Sequence, residues 1–83
     1  MKLLYFAWIR ERIGRPGETL ELPADVVTVA DLVTWLQGRG PEYGEAFARP
    51  DLVRAAINQT HVKADALIAG AREIAFFPPV TGG

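Results

Sequence analysis

The chain has 83 residues, 49% of them hydrophobic and 23% charged, a formal net charge of -1, one histidine, no cysteine and no serine. A chain this short forms one domain and removes only about 60–65% of its unfolded surface from water, enough for a single modest core. The missing residue types exclude disulfides, thiolate metal sites, a thiol nucleophile and serine triads, while charge near zero argues against a nucleic-acid ligand, and no apolar run approaches the about 20 residues of a membrane span.

Leu3 to Ile9 is rich in aromatic and branched residues and predicts a strand with two apolar faces. Arg15-Pro16-Gly17 suits a type II turn, and Glu18 to Leu22 alternates polar with apolar, so an opening hairpin is expected. Lys2, Arg10, Arg12 and Arg15 are the nearest thing to a basic patch, but Glu11 interrupts them and they read as a solvated loop. After Pro23, Thr28 with Asp31 makes a capping-box variant, and Val29, Leu32, Val33 and Leu36 fall at i, i+3, i+4 and i+7. That spacing predicts an amphipathic helix, stopped by Gly38, Gly40 and Pro41. Tyr43 and Phe47, four apart, pin a short helical turn between Pro41 and Pro50. Leu52 to Ile57 predicts a third strand, Asn58-Gln59 a tight turn, Thr60 to Lys63 a fourth strand and Glu73 to Phe77 the last, ended by Pro78-Pro79.

The order is strand, strand, helix, strand, strand, strand, an α+β pattern whose two most apolar strands, first and last, should lie side by side at the centre. These features describe a β-grasp over residues 1–77, a mixed sheet of four to five strands with one main helix packed on one face. Alternation puts Ile74 and Phe76 inside and Phe77 outside, where Phe6 on the adjacent strand would complete an apolar patch suited to a partner. Trp8 is expected on the exposed side of the central strand and Trp35 beside the helix stripe. His61 has no histidine or carboxylate partner in the sequence pattern and reads as a surface or rim residue. Glu21, Asp25 and Asp31 read as turn and cap carboxylates rather than an acid–base pair.

Residues 78–83 break the pattern. Pro78 and Pro79 lock two φ angles and project the chain stiffly from the sheet, and Val80, Thr81, Gly82 and Gly83 follow. The two glycines carry no side chain to catch in a narrow channel, so a flexible tail of this kind can be threaded into another protein. A bare Gly-Gly is also what a frayed terminus looks like.

Tyr5-Phe6-Ala7 with Arg10-Glu11, the Ala56-Ile57-Asn58-Gln59 hairpin and above all Phe76-Phe77-Pro78-Pro79-Val80-Thr81-Gly82-Gly83 resemble the MoaD family, the ubiquitin-like sulfur carriers that form the small subunit of molybdopterin synthase. The resemblance implies an E1-like adenylating enzyme that uses ATP and magnesium to make a glycyl adenylate at Gly83, and a sulfur donor, such as a cysteine desulfurase system, that converts it to a thiocarboxylate (1-thioglycine). It further implies a heterotetramer with the large subunit, in which this chain has no catalytic side chain of its own and the sulfur completes a pterin precursor of the molybdenum cofactor. Phe6, His61 and Phe77 would meet the partners, and Pro78 to Gly82 would enter them. The resemblance implies no intrinsic cofactor or metal, and the charge balance, the lack of a long apolar run and an N-terminus without a small-residue cleavage site lead to the expectation of a cytoplasmic protein with no nucleic-acid or membrane partner. Carriers for thiamine or tRNA thiolation, and a ubiquitin-like module that is never activated, are the competing readings. The sequence departs from the family at His61, where an apolar residue is usual, and at Gly70-Ala71-Arg72-Glu73, where an acidic turn is usual.

Overall fold

Two strands from opposite ends of the chain form the middle of the sheet in the computed structural model, which describes residues 1–79. Lys2–Tyr5 (β1) runs parallel to Glu73–Phe77 (β5), with Leu3 beside Ile74 and Tyr5 beside Phe76. Gly17–Thr19 (β2) pairs antiparallel with β1 at one edge. Arg54–Ile57 (β3) pairs antiparallel with β5, and Thr60–Val62 (β4) closes the other edge, giving a sheet ordered β2-β1-β5-β3-β4. This is the mixed α+β sheet expected, with the first and last strands at its centre.

The expected main helix is Val29–Gln37 (α2). Thr28 and Asp31 form a full capping box, and Val29, Leu32, Val33 and Leu36 are its buried face. Two backbone N–H groups at its start, from Val29 and Ala30, donate to the carbonyls of Ala66 and Ala64, so the loop after β4 satisfies donors that a helix start leaves free. Pro41–Ala46 (α3) confirms the short helical turn and buries Tyr43, with Phe47 just beyond it. The Asn58-Gln59 turn is confirmed too: both residues have positive φ, 49° and 72°, as a two-residue hairpin turn of type I′ requires.

One element is corrected. The first strand ends at Tyr5 rather than Ile9, and Ala7–Ile13 is a helix (α1) where a strand end and solvated loop were expected. Phe6 N–H donates to the Phe76 carbonyl, and the chain then turns at Ala7, whose φ of 54° lies in the left-handed region at a cost of about 1–2 kcal/mol. Ile9 and Ile13, four apart, are both buried by the turn, and Gly14 ends the helix at φ 90° with its N–H on the Arg10 carbonyl. Trp8 therefore lies on α1, packed partly against the core with the Arg12 guanidinium 4.7 Å from its ring, not on the exposed side of a strand. Trp35 flanks the helix stripe as expected, half-buried against the core. The second strand is also shorter than expected: it spans Gly17–Thr19, and the pairing ends one residue later, where Leu20 and Met1 exchange two hydrogen bonds of 2.9 Å.

The three helices cover one face of the sheet over a core of Leu3, Tyr5, Ile74 and Phe76 from the central strands. At the β2 edge of this face Glu18, whose side chain is only 8% exposed, accepts hydrogen bonds from the Tyr5 hydroxyl at 2.8 Å and the Tyr43 hydroxyl at 2.6 Å, and pairs with Arg15 at 3.1 Å and Arg39 at 3.9 Å. Burial alone would raise its pKa, but the two phenol hydrogen bonds and the two guanidinium charges outweigh it and hold the carboxyl below the usual carboxylate range. Burial, then the hydrogen bond to Glu18, pushes the Tyr5 phenol up. A depressed carboxylate contributes stability that is complete above its unfolded pKa, about 4.3 for glutamate, and disappears as pH falls through the folded value. A raised phenol contributes stability that is complete below about 10 and disappears as pH rises beyond it. In urea titrations across pH, Glu18→Gln should lower stability at neutral pH and flatten the acid arm, and Tyr5→Phe should flatten the alkaline arm.

Candidate docking face and chain exit

Strand alternation that sends Leu3, Tyr5, Ile74 and Phe76 into the core sends Leu4, Ala75 and Phe77 to the opposite face. That face carries no helix, and on it Leu4, Phe6, His61, Ala75 and Phe77, with Gln59 and Glu73, line a shallow hollow of about 480 Å³. Phe6 is 45% exposed, one of the few large apolar side chains so open among the described residues. The His61 ring leans on Phe77, centroids 5.0 Å apart and planes at 45°. Ala56, opposite His61 in register, is only 6% exposed yet stands apart from the main core cluster, which marks it as the covered floor beneath this outer layer.

The structure brings Phe6, His61 and Phe77 to one hollow, with Phe6 contributed by the cap of α1 rather than by the strand. Pro78 and Pro79 follow directly, half-buried and outside the ladder. Val80, Thr81, Gly82 and Gly83 lie outside the described residues. Sequence reasoning missed Leu4, Ala56 and Ala75. The signal was present: alanine at outward positions of two neighbouring central strands leaves room that a larger residue would fill. It also missed the second role of Asn58, whose side-chain carbonyl accepts from the Arg72 and Glu73 N–H groups at 2.8 and 3.1 Å and so ties the β3–β4 turn to the start of β5.

The lining of the hollow has two titratable side chains, His61 and Glu73, and no hydroxyl or thiol nucleophile. Among the described residues no group of three or more histidine, cysteine, aspartate or glutamate side chains is placed to hold a metal, and no helix is long and apolar enough to cross a membrane. A second groove, about 450 Å³, lies on the helical side between α2 and the β3–β4 pair, with Ala55 and Phe76 in its wall.

The model of the ThiS family matches residues 3–83, from the first strand to the last glycine. The chain belongs to the ThiS family. It is 39% identical over 83 residues to the molybdopterin synthase sulfur carrier subunit of Escherichia coli, covering all of this chain and 99% of that one. It is 36% identical, with the same coverage, to the molybdopterin synthase sulfur carrier subunit of Haemophilus influenzae. SAMP1 from Haloferax volcanii superposes on this ThiS-family chain with a TM-score of 0.72 at 25% identity, over 100% of this chain and 98% of the other. The resemblance read from the sequence and the β-grasp are both borne out.

Phe76 and Phe77 are consecutive and chemically identical, so they test the two faces against each other. Phe76→Ala should destabilise by about 3–5 kcal/mol in urea unfolding, as for a buried ring. Phe77→Ala should change stability by about 1 kcal/mol or less. Equal losses would show that the outer ring belongs to the folding core.

Proposed function

We propose that this ThiS-family chain is the sulfur carrier subunit of a molybdopterin synthase and that Gly83 is its working end. The observation that carries the reading is the continuity of β5: Phe77 lines the outer hollow, Pro78-Pro79 follow at once, and Val80-Thr81-Gly82-Gly83 complete a chain that matches two such subunits throughout its length. Recognition and chemistry then sit on one strand and its extension. Six residues follow Phe77, so covalent geometry limits the distance from the docking face to Gly83 to about 20 Å.

A carboxylate is a poor electrophile because its oxygen is a poor leaving group. In the proposed sequence a Gly83 oxygen attacks the α-phosphorus of ATP, held with magnesium by an adenylating enzyme, and pyrophosphate departs. The terminal sulfur of a persulfide on a donor such as a cysteine desulfurase system then displaces AMP to give an acyl persulfide. An external thiol attacks the donor's sulfur, breaking the S–S bond, keeping the donor as a mixed disulfide and releasing the thiocarboxylate. Docking through Phe6, His61 and Phe77 in the large subunit makes that sulfur an intramolecularly positioned nucleophile toward the pterin precursor. Pro78 and Pro79 restrict the exit, and Gly82 and Gly83 fit a passage too narrow for side chains. The absence of cysteine and serine is consistent with this chemistry, which uses the main-chain end.

Incubated with its adenylating enzyme, ATP, magnesium and a sulfur source, the chain should gain about 16 daltons in intact mass, the exchange of one terminal oxygen for sulfur. Gly82→Val should abolish that gain while leaving the urea midpoint unchanged. An unmodified mass, under conditions in which the Escherichia coli carrier is converted, would overturn the reading.

A further inference from the structure

The bare face of the sheet is largely apolar along β5 and begins with a carboxylate. We propose that Glu73 is a specificity residue of this face, met in the assembled synthase by a lysine or arginine of the large subunit, which pins the end of the face opposite the chain exit. This rests on the carrier-subunit reading, which supplies the occupant of the face: the remaining subunit of the synthase.

Glu73, Ala75 and Phe77 are alternate residues of β5 and line the outer hollow together. Four residues of strand put about 13 Å between the first and the last, so the carboxylate and the chain exit stand at opposite ends of one row. Glu73 is half-buried, and its hydrogen bonds run through its main chain: the N–H donates to the Asn58 side-chain carbonyl, and the carbonyl accepts from the Asn58 N–H. Among the described residues the ion pairs join Glu18 to Arg15 and Arg39, and Asp51 to Arg49. Lys2 stands beside Glu73 in register on β1, and Arg72 precedes it, but both are exposed and neither pairs with it. The His61 ring leans on Phe77, at the other end of the row. Water therefore solvates the carboxylate in the free chain. A partner that covers Phe6, Ala75 and Phe77 displaces that water, and a carboxylate under an interface is costly unless a counter-charge replaces it. A flexible exposed lysine of the same chain pairs weakly, whereas a cation held in place by the partner gives a charge-assisted hydrogen bond as the water leaves. A surface that is apolar or acidic at this point would bury the charge unpaired, and so one carboxylate discriminates between partners.

The test is calorimetric titration of the full chain into the large subunit from the same organism, with Glu73→Gln, Glu73→Arg and Lys2→Gln alongside. Glutamine keeps the size and polarity of Glu73 and removes only its charge, and because the hydrogen bonds at this residue are made by its main chain, the urea midpoint should match that of the wild type. Glu73→Gln should weaken binding about thirtyfold and Glu73→Arg by more than about a hundredfold, while Lys2→Gln should change it by about threefold or less. Unchanged or tighter binding by Glu73→Gln would overturn the role of Glu73. So would a loss on Lys2→Gln as large as that on Glu73→Gln, because the chain would then supply its own counter-charge. Both results leave the subunit reading intact. No binding by the wild type would overturn the subunit reading and the role of Glu73 with it.

Discussion

The parallel pairing of β1 with β5 is the constraint from which the rest of the molecule follows. It joins residues about seventy positions apart, with Leu3 beside Ile74 and Tyr5 beside Phe76 in register. Side chains alternate across a sheet with a period of two, so a slip of one residue would send Phe77 inward and Phe76 outward. What resists the slip is the helical layer. Phe76 sits edge-on to Phe47, ring centroids 5.3 Å apart, and stacks with Tyr5 at 6.4 Å. The same register that seats these rings leaves Leu4, Ala75 and Phe77 on the bare face. Core and docking face are therefore one decision, made by a single pairing.

Glu18 extends that decision to the sheet edge. A carboxylate pointing toward a core is costly unless satisfied, and here the phenols of Tyr5 and Tyr43 both donate to one of its oxygens while Arg15 and Arg39 approach the other. The arrangement needs β1, β2 and α3 to be placed at once. It also puts an inward charge on the short edge strand β2, one of the devices that discourages edge-to-edge pairing with other chains. At the opposite edge β4 has only three residues, and short length limits it as a template in the same way.

How much of this could be read in advance depended on whether a segment carried its own periodicity. The α2 helix was legible because four apolar residues at helical spacing follow a capping box, and β5 because alternation and a terminal Pro-Pro bound it. The Asn58-Gln59 turn was legible from the tolerance of asparagine for positive φ. The α1 helix was not. Ala7-Trp8-Ile9 continues an apolar run with residues that favour strands, and a helix of seven residues has little intrinsic stability. It exists because Ile9 and Ile13 find the core and because Gly14 ends it, both tertiary or terminal effects invisible to a short window. The docking face was half legible for the same reason: Phe77 follows from alternation alone, whereas the roles of Ala56 and Ala75 follow only from knowing which strands are neighbours.

The proposed function puts recognition on the sheet and chemistry on the chain end, which separates two demands that usually compete. A catalytic side chain must be held rigidly and yet reach its substrate, and a fold of this size has little core with which to hold it. Here the rigid part is asked only to present a shape. The face that presents it is fixed by the strongest packing in the molecule, because Ala75 and Phe77 share their backbone with Ile74 and Phe76. Pro78 and Pro79 follow the same strand directly. A substitution on the bare face can then alter which partner is accepted, and under what conditions, without disturbing the core one residue away. His61 illustrates the freedom this gives: an edge-strand position open to solvent takes a polar ring at little cost to the fold.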